Sequence, residues 1–339
     1  MPRTNAGAKL RLPTPVALAM MTRKRFALSG AACCITSALA YTASAVCMRR
    51  LADLHCDAFW AILSREAVTS ILVLPWLAWL GVRGRPALPS GRLLVRLLIT
   101  GLLVETIGNV GVQWSLGVVG LAVTIPVQFG FMIVGGAILG RAALGERVSL
   151  RTTAAVAVLL ASLVLLNVGA GSVARSIAAK ATPPGLWTLA LAVGATGTAG
   201  VIYALLSTVV RHSVLRDVSP AAVAFLIPVM AVVGLGPICV VRPGLPALLA
   251  TPGEQLALMA AAGVFNLLGF LAIIYGLQRT TVVHANVLNA SQVAMASAAG
   301  MILFHESPNP WVLSGICLTV LGIVWIDRPP EALDEIPPP

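Results

Sequence analysis

The residues of this chain that could do chemistry are few, and they sit inside apolar sequence. Glu105, Asn109 and Gln113 recur at i, i+4 and i+8, the spacing that stacks side chains on one face of a helix. A carboxyl group followed by two amides can hold a proton or hydrogen-bond a polar solute. On a helix that begins near Leu93, Glu105 lies about 18 Å along the axis. In a membrane-spanning helix that is close to the midplane, where an ionised carboxylate costs about 2.5–3.5 kcal/mol on insertion scales. Glu105 must therefore be paired, hydrated in a cavity, or protonated, and it is the candidate site for a coupling proton. The competing reading is a carboxyl group hydrogen-bonded between helices for structure alone.

A second polar set lies 161 residues further on, where Glu105 aligns with Asn266 and Gln128 with Asn289. Asn286, Asn289 and Gln292 follow at three-residue intervals, near one helix face. These amides either hydrogen-bond a polar substrate or hold helices together at about 0.6 kcal/mol per bond. His284 precedes them and reads as an interface residue rather than a proton carrier. Arg65 and Glu66 are neighbours, so they are expected to face different directions. Arg65 would pair with a carboxylate elsewhere, bind an anionic group, or snorkel to the surface.

The elements that position these residues are transmembrane helices. The chain of 339 residues is 58% hydrophobic and only 10% charged, whereas a soluble domain carries about a quarter charged residues. Lys and Arg are absent from Phe26 to Met48, from Leu97 to Gly140 and from Thr280 to Ile326. A bilayer core needs about 20 helical residues. The apolar runs give ten spans: 26–48, 58–80, 93–115, 121–140, 152–170, 186–210, 220–241, 255–277, 281–304 and 310–326. With strand alternation missing and aromatics few, the fold class is all-α integral membrane, not a β-barrel. Pro126 and Pro228 should kink their helices. Gly135, Gly136, Gly140, Gly194, Gly197 and Gly200 should let helices pack closely.

The spans fall into two copies. Tyr41, Arg49 and Asp57 answer to Tyr203, Arg211 and Ser219, each 162 residues apart, and Glu146 answers to Glu306 at 160. Residues 26–170 form one five-helix repeat and 186–326 the other; 171–185 is the linker, and 1–25 and 327–339 are tails. Positive charge sets the direction. With the N-terminus inside, 17 Lys and Arg face the cytoplasm and five face out. Both termini are then cytoplasmic. An odd number of spans per copy makes the copies inverted, the arrangement behind alternating access to a central site. Glu146 and Glu306 each stand just ahead of a helix, and capping explains them without a substrate.

Other classes find little support. The net charge of +11 is spread between the apolar runs, not gathered with aromatics as nucleic-acid binding requires. His55, His212, His284 and His305 have no metal-ligand spacing, and no glycine-rich phosphate loop is present. No cofactor, metal site or enzyme activity is expected. The six cysteines lie mostly in apolar runs and do not form a disulfide framework.

Taken together these features resemble the drug/metabolite transporter superfamily, specifically its EamA-type two-repeat members, over nearly all of residues 26–326. The resemblance rests on Gly145-Glu146-Arg147-Val148-Ser149 and its repeat around Glu306, on Arg65, and on Gly276-Leu277-Gln278-Arg279-Thr280-Thr281. It implies ten helices and a cavity lined mainly by the first, third, fourth, sixth, eighth and ninth. It also implies export of amino acids or other small metabolites. The chain departs from the pattern at Ile133 and Val293, where the family often has proline, and its first span has no glutamate.

The expectation is a secondary transporter, an exporter of a small polar, amino-acid-like metabolite across a bacterial inner membrane. Its candidate site residues are Glu105, Asn109, Gln113, Gln128, Asn266, Asn286, Asn289 and Gln292. Its partners are the bilayer, the substrate and possible coupling protons. A translocator of lipid carriers or lipophilic drugs on the same fold, and a non-transporting scaffold or sensor, are the alternatives.

Overall fold

The computed structural model describes residues 15–119, 121–146, 149–151, 153–162, 165, 185–303 and 310–325. Among them all regular structure is helical. In chain order the helices are α1 (Pro15–Asp53), α2 (Ala58–Val82), α3 (Gly91–Leu103), α4 (Val110–Val119), α5 (Leu121–Leu144), α6 (Thr153–Ser162) and α7 (Leu186–Val214). Then come α8 (Pro220–Leu226), α9 (Val229–Cys239), α10 (Leu245–Leu249), α11 (Gly253–Arg279), α12 (Val282–Asn289), α13 (Ser291–Leu303) and α14 (Pro310–Trp325).

Among the described residues, seven stretches are long and apolar enough to cross a membrane: Gly30–Leu51, Ala58–Val82, Gly91–Ser115, Val127–Leu144, Leu186–Val214, Pro220–Arg242 and Gly253–Arg279. The ninth expected span is divided into α12 and α13, of eight and 13 residues. The fifth and tenth contribute the shorter apolar stretches Thr153–Ser162 and Leu313–Gly322. The linker 171–185 is outside the described residues except for Gly185, as are Glu306 and the tail beyond Trp325.

Three interruptions shape the helices near their middles. A π-helical segment, Val104–Asn109, joins α3 to α4; such one-residue widenings concentrate at functional sites. Pro228 ends α8 as expected, because it lacks the N–H that would continue the ladder. The chain resumes α9 through Met230 N–H to Ile227 O and Ala231 N–H to Pro228 O bonds, 3.1 and 2.9 Å. The third break, at Ala290, has no proline to announce it: the Ala290 N–H bonds to the Asn286 and Val287 carbonyls and the Val293 N–H to that of Ala290. By contrast α5 runs through Pro126 without interruption.

Helices that must approach do so at glycine. A Cβ on Gly200 would fall on the Gln128 carbonyl, 2.7 Å from Phe131 Cβ and 3.1 Å from the Met132 nitrogen, so α7 and α5 meet backbone to backbone there. Gly101 sets α3 against the α8–α9 break, with Ile227 Cα 3.1 Å from where a Cβ would be. Gly263 presses α11 onto Val68 and the Arg65 carbonyl of α2. Gly194 has open space around its Cα, contrary to the packing role expected for it.

Asp57 and Ser219, matched in the sequence, do the same work. Asp57 Oδ1 accepts from the Trp60 N–H at 2.9 Å to cap α2, and Ser219 Oγ accepts from the Ala222 N–H at 3.1 Å to cap α8.

Gly200→Ala should overpack the α5–α7 contact and lower stability by about 1–3 kcal/mol. Gly194→Ala should leave it unchanged or raise it by up to about 1 kcal/mol through helix propensity. Thermal unfolding of the detergent-solubilised variants, read by tryptophan fluorescence, checks the contrast.

Candidate functional site

The site begins at the π-helical turn. It places Asn109 so that its Nδ2 donates to Glu105 Oε2 at 2.6 Å. The Asn109 Oδ1 accepts from the Tyr203 hydroxyl of α7 at 2.5 Å. A hydrogen-bonded line thus runs Tyr203 to Asn109 to Glu105. The Tyr203 ring lies beside Gly108, its Cζ 3.7 Å from where a Cβ would be, an ordinary contact.

A second polar line faces it from α2 and α11. Arg65 Nε donates to Glu66 Oε1 at 2.7 Å, and its Nη2 is 2.5 Å from the same oxygen. Asn266 Nδ2 donates to Glu66 Oε2 at 3.0 Å and to Thr69 Oγ1 at 3.2 Å. The Thr69 hydroxyl reaches the carbonyls of Arg65 and Gly263, 3.0 and 3.1 Å away, tying the two helices at this level. Tyr41 of α1 lies against Gly269 of α11, its ring 3.0–3.2 Å from where a Cβ would sit.

The two lines form one electrostatic unit: Glu105 feels both Arg65 and Glu66, and Tyr41 and Tyr203 lie in the same field. Glu105 and Glu66 are only 2% and 3% exposed, while the Arg65 side chain keeps 17% of its surface. The cluster therefore holds two carboxyl groups away from solvent, beside one guanidinium that is only partly covered. Arg65 and Asn266 are both committed to Glu66, and Glu105 has an amide as its hydrogen-bond donor.

Of the eight candidate residues, the structure brings Glu105, Asn109 and Asn266 together. Asn286 lies elsewhere, 1% exposed, where its Oδ1 accepts from Ser207 Oγ at 2.9 Å and its amide fills the space above Gly136. It joins α12 to α7 and α5. Gln113, Gln128 and Gln292 are half-buried and Asn289 is buried with Oδ1 unpartnered; among the described residues no hydrogen bond links these four to the cluster. His284 is buried, with Nδ1 2.7 Å from Thr281 Oγ1 at the start of α12.

Two expectations need correction. Arg65 and Glu66 do meet, because a long guanidinium arm spans the angle between adjacent helical positions. Glu146 is a cap, but not for the helix it precedes. Its Oε2 accepts from the Val282 N–H at 3.0 Å, at the start of α12, and its Oε1 pairs with Arg211 Nε. The members of the cluster that the sequence did not nominate are Glu66, Thr69, Tyr41 and Tyr203. The 162-residue match of Tyr41 and Tyr203 is the signal that marks the two tyrosines. Among the described residues no three His, Cys, Asp or Glu are grouped to hold a metal ion.

Arg65→Met should destabilise the protein by about 3–5 kcal/mol, because it leaves the buried Glu66 without its cation. Arg65→Met combined with Glu66→Gln should recover most of that loss. Melting temperatures of the single and double variants in detergent measure the coupling.

No curated protein matches the chain. Among the solved structures that match, one, described as the crystal structure of a protein, has a TM-score of 0.68 at 15% identity. The match covers 88% of this chain and 98% of that one, a likeness of fold alone. The sequence gives the more specific likeness: residues 187–327, which run from α7 to α14, match the model of the EamA-like transporter family.

Proposed function

We propose that this membrane protein is a secondary transporter that exports a small polar, amino-acid-like metabolite by alternating access. Its ten spans would form two inverted five-helix copies, 26–170 and 186–326, in a bacterial inner membrane with both termini cytoplasmic. The matched N-caps Asp57 and Ser219 support the duplication. So do Tyr41 on Gly269 and Tyr203 on Gly108, in which each copy's tyrosine meets the other copy's glycine at a matched position.

The observation that carries the reading is the charge count of the buried cluster. Two carboxyl groups face one guanidinium, and that guanidinium is bonded to Glu66. An ionised Glu105 lacks a cation of its own, and a charge in an apolar span is expensive without one. A proton, or the ammonium group of the cargo, supplies it. Arg65 remains partly exposed and is suited to the cargo's carboxylate. Proton and cargo then compete for Glu105, which couples one to the other.

The test compares metabolites in the medium of cells overexpressing wild type, Glu105→Gln or empty vector. A compound enriched several-fold with wild type alone is the expected result. Unchanged rate and pH profile in Glu105→Gln would remove the carboxyl group from the mechanism. No enrichment with wild type, in export or in vesicle uptake, would sink the transport reading.

A further inference from the structure

The Gly145-Glu146 pair builds a tie that the central cluster does not use. Gly145 takes a left-handed backbone, φ 68°, at the end of α5. The Glu146 N–H then bonds back to the Gly140 carbonyl at 3.2 Å, the reversal that follows a helix C-terminus. The turn lays the Glu146 carboxylate over Gly140, where a Cβ would come within 2.9 Å of Oε2. From there Oε1 meets Arg211 Nε of α7, and Oε2 takes the Val282 N–H of α12. Arg211 Nη1 in turn donates to the carbonyl of Leu277, 2.6 Å away, and to that of Thr280. These close the C-terminal end of α11.

One buried ion pair thus joins the ends of four helices. Arg211 is 3% exposed. Two of the four helices also carry the central cluster. Tyr203 is eight residues before Arg211 on α7, about 12 Å along the axis. Asn266 stands on α11, 11 residues before Leu277. By the charge distribution of the loops, this end is the cytoplasmic one.

We propose that the Glu146–Arg211 pair is the latch of the cytoplasmic mouth, closed in this structure and broken when the site opens inward. The proposal rests on the alternating-access reading. An apolar contact could slide by degrees, but this one cannot. Separating the pair strands a carboxylate, a guanidinium, two carbonyls and an N–H at once, until water enters. The mouth is then either sealed or flooded, which is the two-state behaviour an alternating carrier needs.

The test uses spin labels at Arg141→Cys on the exposed end of α5 and Gln278→Cys on α11, with the six native cysteines replaced. Distance distributions are measured by double electron–electron resonance in nanodiscs. The parent should give one short distance. Glu146→Gln and Arg211→Lys, each confirmed monodisperse, should add a longer population that grows at least several-fold over the parent's. Two folded variants with the parent's distribution would overturn the latch. If Glu146→Gln does not fold, Arg211→Lys decides alone. The measurement needs no transported compound, so it stands or falls apart from the export assay.

Discussion

A charge in a hydrocarbon layer has to be answered by another part of the same chain, because no water is there to answer it. Two answers organise this protein. In the middle, Arg65, Glu66 and Asn266 satisfy one another across α2 and α11. At the end of α5, Glu146 and Arg211 do so across four helices. Each arrangement joins elements distant in sequence. Each also leaves little freedom, since displacing one partner strands the others. The helices between are apolar and would be indifferent to small rotations; the polar ties fix their register.

Those ties require close approach, and the small residues provide it. Gly263 brings the α2 backbone near enough for the Asn266 amide to reach Glu66. Gly140 makes room for the Glu146 carboxylate, and Gly136 for the Asn286 amide, one turn earlier on the same face of α5. Helix association in lipid gains nothing from hiding apolar surface, so contact area and hydrogen bonds have to supply it. In this chain both come from the same glycine positions.

What could be read from the sequence follows from this. The stacking of Glu105 and Asn109 was legible because helical periodicity survives a one-residue π widening. The break at Pro228 was legible because proline removes a donor wherever it stands. The break at Ala290 was not, since Asn289-Ala290-Ser291 has neither glycine nor proline. The pairing of Arg65 with Glu66 was misread by a rule about Cβ directions, which does not bind a side chain as long as arginine. Asn286 looked equivalent to Asn289 by spacing. Only its neighbours, Ser207 and the carbonyl of Met132, show that it serves the α5–α7–α12 contact. Periodicity tells which residues share a face, not what the face meets.

Glu105 and Asn266, 161 residues apart, show how electrostatics limits what can stand at the centre of the helices. Asn266 donates its amide to Glu66 Oε2, a bond that an ionised glutamate at that position could not make. A second carboxylate there would face Glu66 at hydrogen-bond distance, and like charges that close do not both ionise. Arg65 already turns Nε and Nη2 to Glu66 and is not placed to neutralise an acid at position 266 as well. Glu105 escapes the conflict because its neighbour in the π turn is an amide, Asn109, which donates. Once Arg65 and Glu66 occupy α2, a symmetric pair of acids at the centre is excluded. Position 105 keeps the carboxyl group, and position 266 keeps the amide that holds Arg65's partner in place.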